Sequence, residues 1–270
     1  MLFVCSLENT TLSLGVFSND QLLFRAHMAT DRNKTADEYQ VLLSNLLALN
    51  GVTPAEISDA IVASVVRPLN DVVSQAICQL IQVRPLFVGP GVKTGLDIKT
   101  DIPSQVGADI VANAVGALGQ HAGPLVFIDF GTATTVTAIN EKGELCGVLI
   151  CPGVRISLDA LSAQTTDLPG LSLEAPRRLF GRNTIDAMLS GVIYGHASMV
   201  EGLLDRIADT WNNKELTVMV TGRHAEKIMP HLRTKKAVHH DPDLTFKGLR
   251  RIFQLNDRRK ASKPGSDPSL

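Results

Sequence analysis

The chain has 270 residues and a mass of 29.0 kDa, about 1.8 times the ~150-residue domain prior, so it holds two domains or one large one. Hydrophobic residues make up 44% and charged residues 20%, which excludes bulk disorder. The 26 basic against 27 acidic residues leave a net charge of −1, which offers no general attraction to nucleic acid or an anionic membrane.

The start MLFVCSLENTT lacks a basic region followed by a long apolar stretch, and no uncharged apolar run reaches about 18 residues. Neither a secretory signal nor a membrane span is expected. Cys5, Cys78, Cys146 and Cys151 lie in apolar segments with no CxxC pair. They read as reduced, buried thiols of a cytoplasmic protein, not as a zinc site or a disulfide framework.

In chain order, the first element is a meander. Residues 2–29 predict three short strands separated by polar turns. Helices are predicted over Asp37–Asn50, where Val41, Leu42, Leu46 and Leu49 form a stripe, over Asp71–Gln82 and over Val106–Leu118. Ala60–Val66 and Arg84–Val88 read as strands, the second running into Gly89–Pro90–Gly91. Residues 125–152 then repeat the opening meander at an offset of 123, Leu2 onto Leu125. In that alignment Ser6 falls opposite Asp129, Glu8 opposite Gly131 and Thr11 opposite Thr134. A long helix over Thr184–Ile207, a strand over Leu216–Thr221 and a last helix over Leu244–Asn256 follow.

Strands alternating with helices after an antiparallel meander predict an α/β fold of mixed sheets covered by helices. The repeat divides it into two related halves, 1–118 and 119–256, with a polar tail over 257–270. A nucleotide cleft is expected between the halves. The cluster Arg258, Arg259 and Lys260 in the tail reads as a solvated helix end.

Segment 127–135, FIDFGTATT, carries the chemistry. Asp129 ends an apolar strand and can hold a cation, and Gly131 lets backbone N–H groups approach a phosphate. Thr132, Thr134 and Thr135 can donate to phosphate oxygens. The competing reading is a threonine-rich hairpin, since threonine favours strands. None of the seven histidines, among them His239 and His240, keeps company with cysteine or carboxylate in a metal-ligand motif.

Beyond DFGTATT, the segments TDRNKTADEY (30–39), VGPGVKTGL (88–96), VGAD (106–109), CPGVRISLDAL (151–161) and GRNT (181–184) resemble those of type III pantothenate kinases. SGVIYGHASMVEGLLDRI (190–207) and DPDLTFKGLR (241–250) extend the resemblance to about position 255. That family belongs to the acetate kinase/Hsp70/actin-like superfamily, whose fold is two ribonuclease H-like halves. The resemblance implies phosphorylation of pantothenate to 4'-phosphopantothenate by ATP with Mg2+, opening coenzyme A biosynthesis in the cytoplasm. It implies Asp109 as general base on the pantothenate hydroxyl, within a pocket of Gly107, Ala108, Asp109 and Ile110. Asp129 would coordinate a monovalent cation, K+ or NH4+. Ser6, Asn9, Thr10, Thr11, Gly131, Thr132 and Gly222 would line the nucleotide site, and Thr184 would reach substrate across a homodimer interface. Phosphoryl transfer needs positioning and charge neutralisation more than covalent chemistry, which suits one base with cations and backbone donors.

Some positions depart from the family's pattern. Where the family has apolar-Asp-x-Gly-Asn-Thr, this chain reads Cys5–Ser6–Leu7–Glu8–Asn9–Thr10. Ser6 brings no charge for Mg2+, and Glu8 facing the site would set a carboxylate beside the triphosphate. Ile110 stands for the arginine that binds pantothenate's carboxylate, and isoleucine cannot replace a fork of donors. Thr100 replaces a tyrosine, Ile102 an asparagine, and Arg223 the second glycine of the adenosine-side TGG. The alternative to a working kinase is a catalytically weak or inactive relative that acts by binding.

Overall fold

A computed structural model describes residues 1–212 and 215–257. The expected cluster Arg258–Lys260 and nearly all of the expected tail lie outside them. The chain forms an α/β structure with two compact units. One contains Met1–Gly95, Ser104–Gly116 and the described residues from Thr245. The other contains Leu96–Pro103 and Ala117–Leu244.

In the first unit, β1 (Leu2–Leu7), β2 (Thr11–Ser18) and β3 (Gln21–Ala29) form the expected meander, and β4 (Asp59–Ser64) and β5 (Leu86–Phe87) extend it. The sheet order is β3-β2-β1-β4-β5, with β1 antiparallel to β2 and parallel to β4. One face carries α1 (Ala36–Leu49) and α2 (Asn70–Ile81). Phe3, Cys5 and Leu7 pack there with Tyr39, Leu43, Val73 and Ile77. Thr35 caps α1 in a capping box with Glu38, which fixes where that helix starts.

The second unit repeats this plan. β7 (Leu125–Phe130), β8 (Ala133–Ile139) and β9 (Glu144–Pro152) are followed by β10 (Thr217–Thr221) and β11 (Val238–His240). Their order, β11-β10-β7-β8-β9, mirrors the first sheet, and β6 (Asp97–Ile98) adds a sixth strand beside β9. The helical face holds α4 (Val154–Gln164) and α5 (Thr184–Thr210), with Ile128, Phe130, Val220, Leu158 and Ile193 in its core. The short α6 (Ala225–Ile228) follows β10. These are two mixed sheets, of five and six strands, on two ribonuclease H-like halves.

The ladders correct the repeat alignment. Strands β1 and β3 map onto β7 and β9 at an offset of 123, but β2 maps onto β8 at 122. Four residues separate the last pair Leu7–Leu12 of the first hairpin, whereas three separate Phe130–Thr134. Thr11 therefore corresponds to Ala133, not Thr134. The lost residue returns at the next turn, where Glu141–Lys142–Gly143 replaces Asn19–Asp20. Both halves carry a bulge at the same place. It leaves Leu23 unpaired between Phe24 and Leu22, and Cys146 unpaired between Gly147 and Leu145.

Of the four cysteines expected to be buried, only Cys5 is. Cys146 is exposed because it sits on that bulge, while Cys78 and Cys151 are half-buried.

The last helix, α7 (Leu244–Asn256), matches its predicted span, and from Thr245 on it groups with the first unit, not the second. It packs on α3 (Ala108–Leu118): Thr245 Oγ1 donates to Asn113 Oδ1 at 2.6 Å, and a β-carbon at Gly248 would overlap the Ala112 carbonyl. Gly248→Ala therefore opposes two effects. Helix propensity favours alanine by about 0.8–1.0 kcal/mol, while overpacking typically costs about 1–3 kcal/mol. The expected outcome is a net loss of about 1 kcal/mol or more, measured by urea unfolding.

Candidate active site

Successive side chains alternate across a sheet, so each strand-end residue shares a face with its ladder partners. On the second sheet, Asp129 lies between Thr135 of β8 and Thr221 of β10. This row faces away from the α4/α5 core. Thr134 belongs to the other face: it pairs with the core residue Phe130, is fully buried, and its Oγ1 has no partner. Of the three threonines expected to serve phosphate, Thr135 shares the row of Asp129, Thr132 lies in the turn, and Thr134 points into the helical layer.

The turn Gly131–Thr132 follows Asp129 directly. Gly222, at φ +93°, passes so close that a β-carbon there would strike the Asp129 carboxylate and the Phe130 backbone. Only glycine satisfies both the left-handed backbone and the contact. His224 N–H donates to the Phe130 carbonyl at 3.1 Å, tying the segment after β10 to the same turn. Asp129, Gly131, Thr132 and Gly222 are thus brought together at one end of one sheet.

On the first sheet the equivalent row is Ala63–Ser6–Ser13, and Ser13 Oγ lies 2.9 Å from His27 Nδ1. Ser6 occupies the place that Asp129 takes in the second unit. It is 2% exposed and its Oγ has no partner. The turn beyond it is closed by Glu8 N–H donating to Thr11 O at 3.0 Å, while Thr30 Oγ1 donates to Glu8 O at 2.7 Å. Arg32 Nη2 donates to Asn9 Oδ1 at 2.9 Å, and Asn9 and Thr10 are exposed.

Asp109 is the second residue of α3. Its own N–H and that of Ile110 donate to its carboxylate, while its Oδ1 is buried without a partner. Burial raises its pKa above the ordinary 3.8, and the backbone N–H groups only partly oppose this. Gly107 makes room for it, since a β-carbon there would press on the Asp109 carboxylate and lie 3.5 Å from Val65. Ile110 is 7% exposed and contributes core packing with no donor. Thr184 opens α5, exposed, next to the N-cap Asn183 whose Oδ1 accepts from Asp186 N–H at 2.8 Å.

Among the described residues no three His, Cys, Asp or Glu side chains are grouped to hold a metal ion. The second sheet nonetheless fits one monovalent cation, with a single carboxylate in a row of neutral hydroxyls against bare backbone. The first sheet fits Mg2+ poorly, because that ion is usually held by one or two carboxylates plus substrate phosphates and Ser6 supplies none. His224 was not legible as a site residue, since it belongs to no recognised pattern of residue types.

A family pattern described as "Type III pantothenate kinase" matches residues 2–206. The chain belongs to the type III pantothenate kinase family. It is 40% identical to the type III pantothenate kinase of an Exiguobacterium species, over 96% of this chain and all of the relative. It is likewise 40% identical to that of Moorella thermoacetica, over 95% of this chain and all of the relative. Among solved structures it is similar to the ethanolamine utilization protein EutJ of Carboxydothermus hydrogenoformans, with TM-score 0.55, 17% identity, and coverage of 93% of this chain and 89% of that one. It is also similar to a ROK hexokinase of Thermus thermophilus, with TM-score 0.50, 12% identity, and coverage of 95% and 99%. At these identities the structures show the fold alone. As a member of the family the chain is a phosphotransferase. No described helix is long and apolar enough to cross a membrane.

Gly222→Ala is expected to abolish measurable nucleotide binding while the protein remains folded, because the strain falls on one turn. Calorimetric titration with ATP, alongside circular dichroism, checks this outcome.

Proposed function

We propose that this chain phosphorylates the hydroxyl of pantothenate with ATP, giving 4'-phosphopantothenate in coenzyme A biosynthesis, and does so slowly. The observation that carries the reading is the half-buried Asp109 at the start of α3, whose raised pKa suits proton acceptance from an alcohol. The residues at the pantothenate end are Gly107, Ala108, Asp109 and Ile110. Ser6, Asn9, Thr10 and Thr11 of the half 1–118, and Gly131, Thr132 and Gly222 of the half 119–256, would contact the nucleotide. Asp129 would hold K+ or NH4+, which when bound supplies positive charge beside the phosphates. Thr132 would donate to a phosphate oxygen and the Gly131 backbone would approach it.

The slow rate follows from Ser6, Glu8 and Ile110. An uncharged Ser6 leaves Mg2+ to the phosphates alone, and Ile110 offers the pantothenate carboxylate no cation. Cytoplasmic location accords with the substrate and with the absence of a membrane-spanning helix among the described residues. Homodimerisation is supported by exposed apolar side chains flanking Thr184, namely Phe180 at 82% and Ile185 at 48% exposure. A second reading, a kinase-like protein that binds without turnover, is favoured by the same Ser6 and Ile110.

An ADP-release assay with pantothenate, ATP, Mg2+ and K+ separates the two readings. Turnover that Asp109→Asn abolishes supports the kinase; no turnover at high enzyme concentration supports the binding protein. Asp109→Asn also carries a stability prediction. With the folded pKa raised, the ionised carboxylate destabilises the fold progressively as pH rises from 3.8 through the folded value. At neutral pH the variant is expected to melt higher than the parent, by differential scanning fluorimetry.

The double change Ser6→Asp with Glu8→Gly is expected to tighten ATP binding in the presence of Mg2+ by about tenfold, roughly 1.4 kcal/mol. Unchanged or weaker affinity by calorimetry counts against the first sheet's turn as a phosphate contact.

A further inference from the structure

His224 is half-buried and takes no part in the proposed reaction. It follows Thr221–Gly222–Arg223 at the end of β10, and its backbone N–H is spent on the Phe130 carbonyl, one residue before Gly131. Its side chain is different: both ring nitrogens are buried and neither has a hydrogen-bond partner. An unmet buried donor or acceptor costs about 1–3 kcal/mol, and such groups persist in native proteins where a site requires them.

Three cations lie near the ring: Arg223 precedes it, Lys227 comes from α6 and Arg155 from α4. Burial first, and these cations after it, lower its pKa to about 4, so the free protein holds a neutral ring that keeps one N–H. Its neighbours are engaged at their far ends. Arg155 bonds Asp159 and Leu171 O, Lys227 bonds Leu173 O at 2.8 Å, and the two His196 nitrogens lie 2.8 Å from Val192 O and 3.1 Å from Pro152 O. The ring therefore holds one unused N–H beside cationic side chains and is anchored to the turn that carries Gly131 and Thr132. A cation would be repelled there and a neutral hydroxyl would leave the field uncompensated. An anion satisfies both.

We propose that His224 is a phosphate-binding residue of the nucleotide site, donating a ring N–H to an oxygen of the bound polyphosphate. This rests on the reading that the second unit binds ATP. The unsatisfied nitrogens are the preorganised state: the hydrogen bond missing in the free protein is the one the phosphate completes.

The test is calorimetry of ATP and of adenosine on the parent, His224→Phe, His224→Gln and His224→Leu, with melting temperatures of the free proteins. His224→Phe, which removes both unmet nitrogens and keeps a flat ring, is expected to weaken ATP binding about tenfold. It should leave adenosine binding unchanged and melt no lower than the parent. His224→Gln, which restores a neutral amide donor, is expected to stay within about threefold of the parent for ATP, and His224→Leu, expected to weaken ATP binding about tenfold, keeps the test intact should the phenylalanine variant misfold. Equal ATP affinity in parent and variants overturns the proposal. Parallel loss for ATP and adenosine also overturns it, placing the ring against the nucleoside. A lower melting temperature in the variants with unchanged ATP affinity assigns the ring a packing role. A parent that binds no ATP at all defeats the nucleotide reading itself, and the proposal with it.

Discussion

The contact between the Asp129 carboxylate and the bare backbone of Gly222 is the constraint around which the second unit is arranged. It joins neighbouring parallel strands, β7 and β10, at their carboxyl ends, where a side chain of any size would separate them. Once those ends are held, the Gly131–Thr132 turn, the Phe130 carbonyl and the His224 N–H fall into one small region. The row the carboxylate shares, Thr135 and Thr221, is polar. The opposite face of the same strands is a closed apolar layer.

The first unit shows the same architecture with the charge removed. Ser6 stands at the Asp129 position, between Ser13 and Ala63, and its hydroxyl is buried without a partner. A shared fold therefore does not guarantee equal chemistry in both halves. The strand ladders and the helix-covered core survive the change, because they depend on Phe3, Cys5 and Leu7 on the other face. What differs between the halves is local electrostatics: a neutral hydroxyl at Ser6 stands where the second unit has the Asp129 carboxylate.

Much of the architecture was legible because it rests on local periodicity. The meanders, α1, α2, α5 and α7 emerged from alternation, apolar stripes and polar turns, each of which acts over a few residues. The helix α4 and the short strands β6 and β11 did not emerge; two or three residues of ladder leave no pattern in the strands. The repeat was visible but misaligned by one residue in its middle strand. Composition does not record that a turn shortened by one residue is compensated at the next.

The sequence by itself determined the class of fold, the duplication, the family and the motif residues, because these follow from residue types at short spacing. It also carried Ser6, Glu8 and Ile110 in plain view. Only the tertiary structure decided which face each side chain occupies. It turned Thr134 into the core while leaving Thr135 beside Asp129, exposed Cys146 on a bulge, and grouped α7 with the first unit through Gly248. It alone left the His224 ring nitrogens unpartnered near Arg155 of α4 and Lys227 of α6. Burial and electrostatic surroundings are summed over segments distant in the chain, and no local pattern contains that sum.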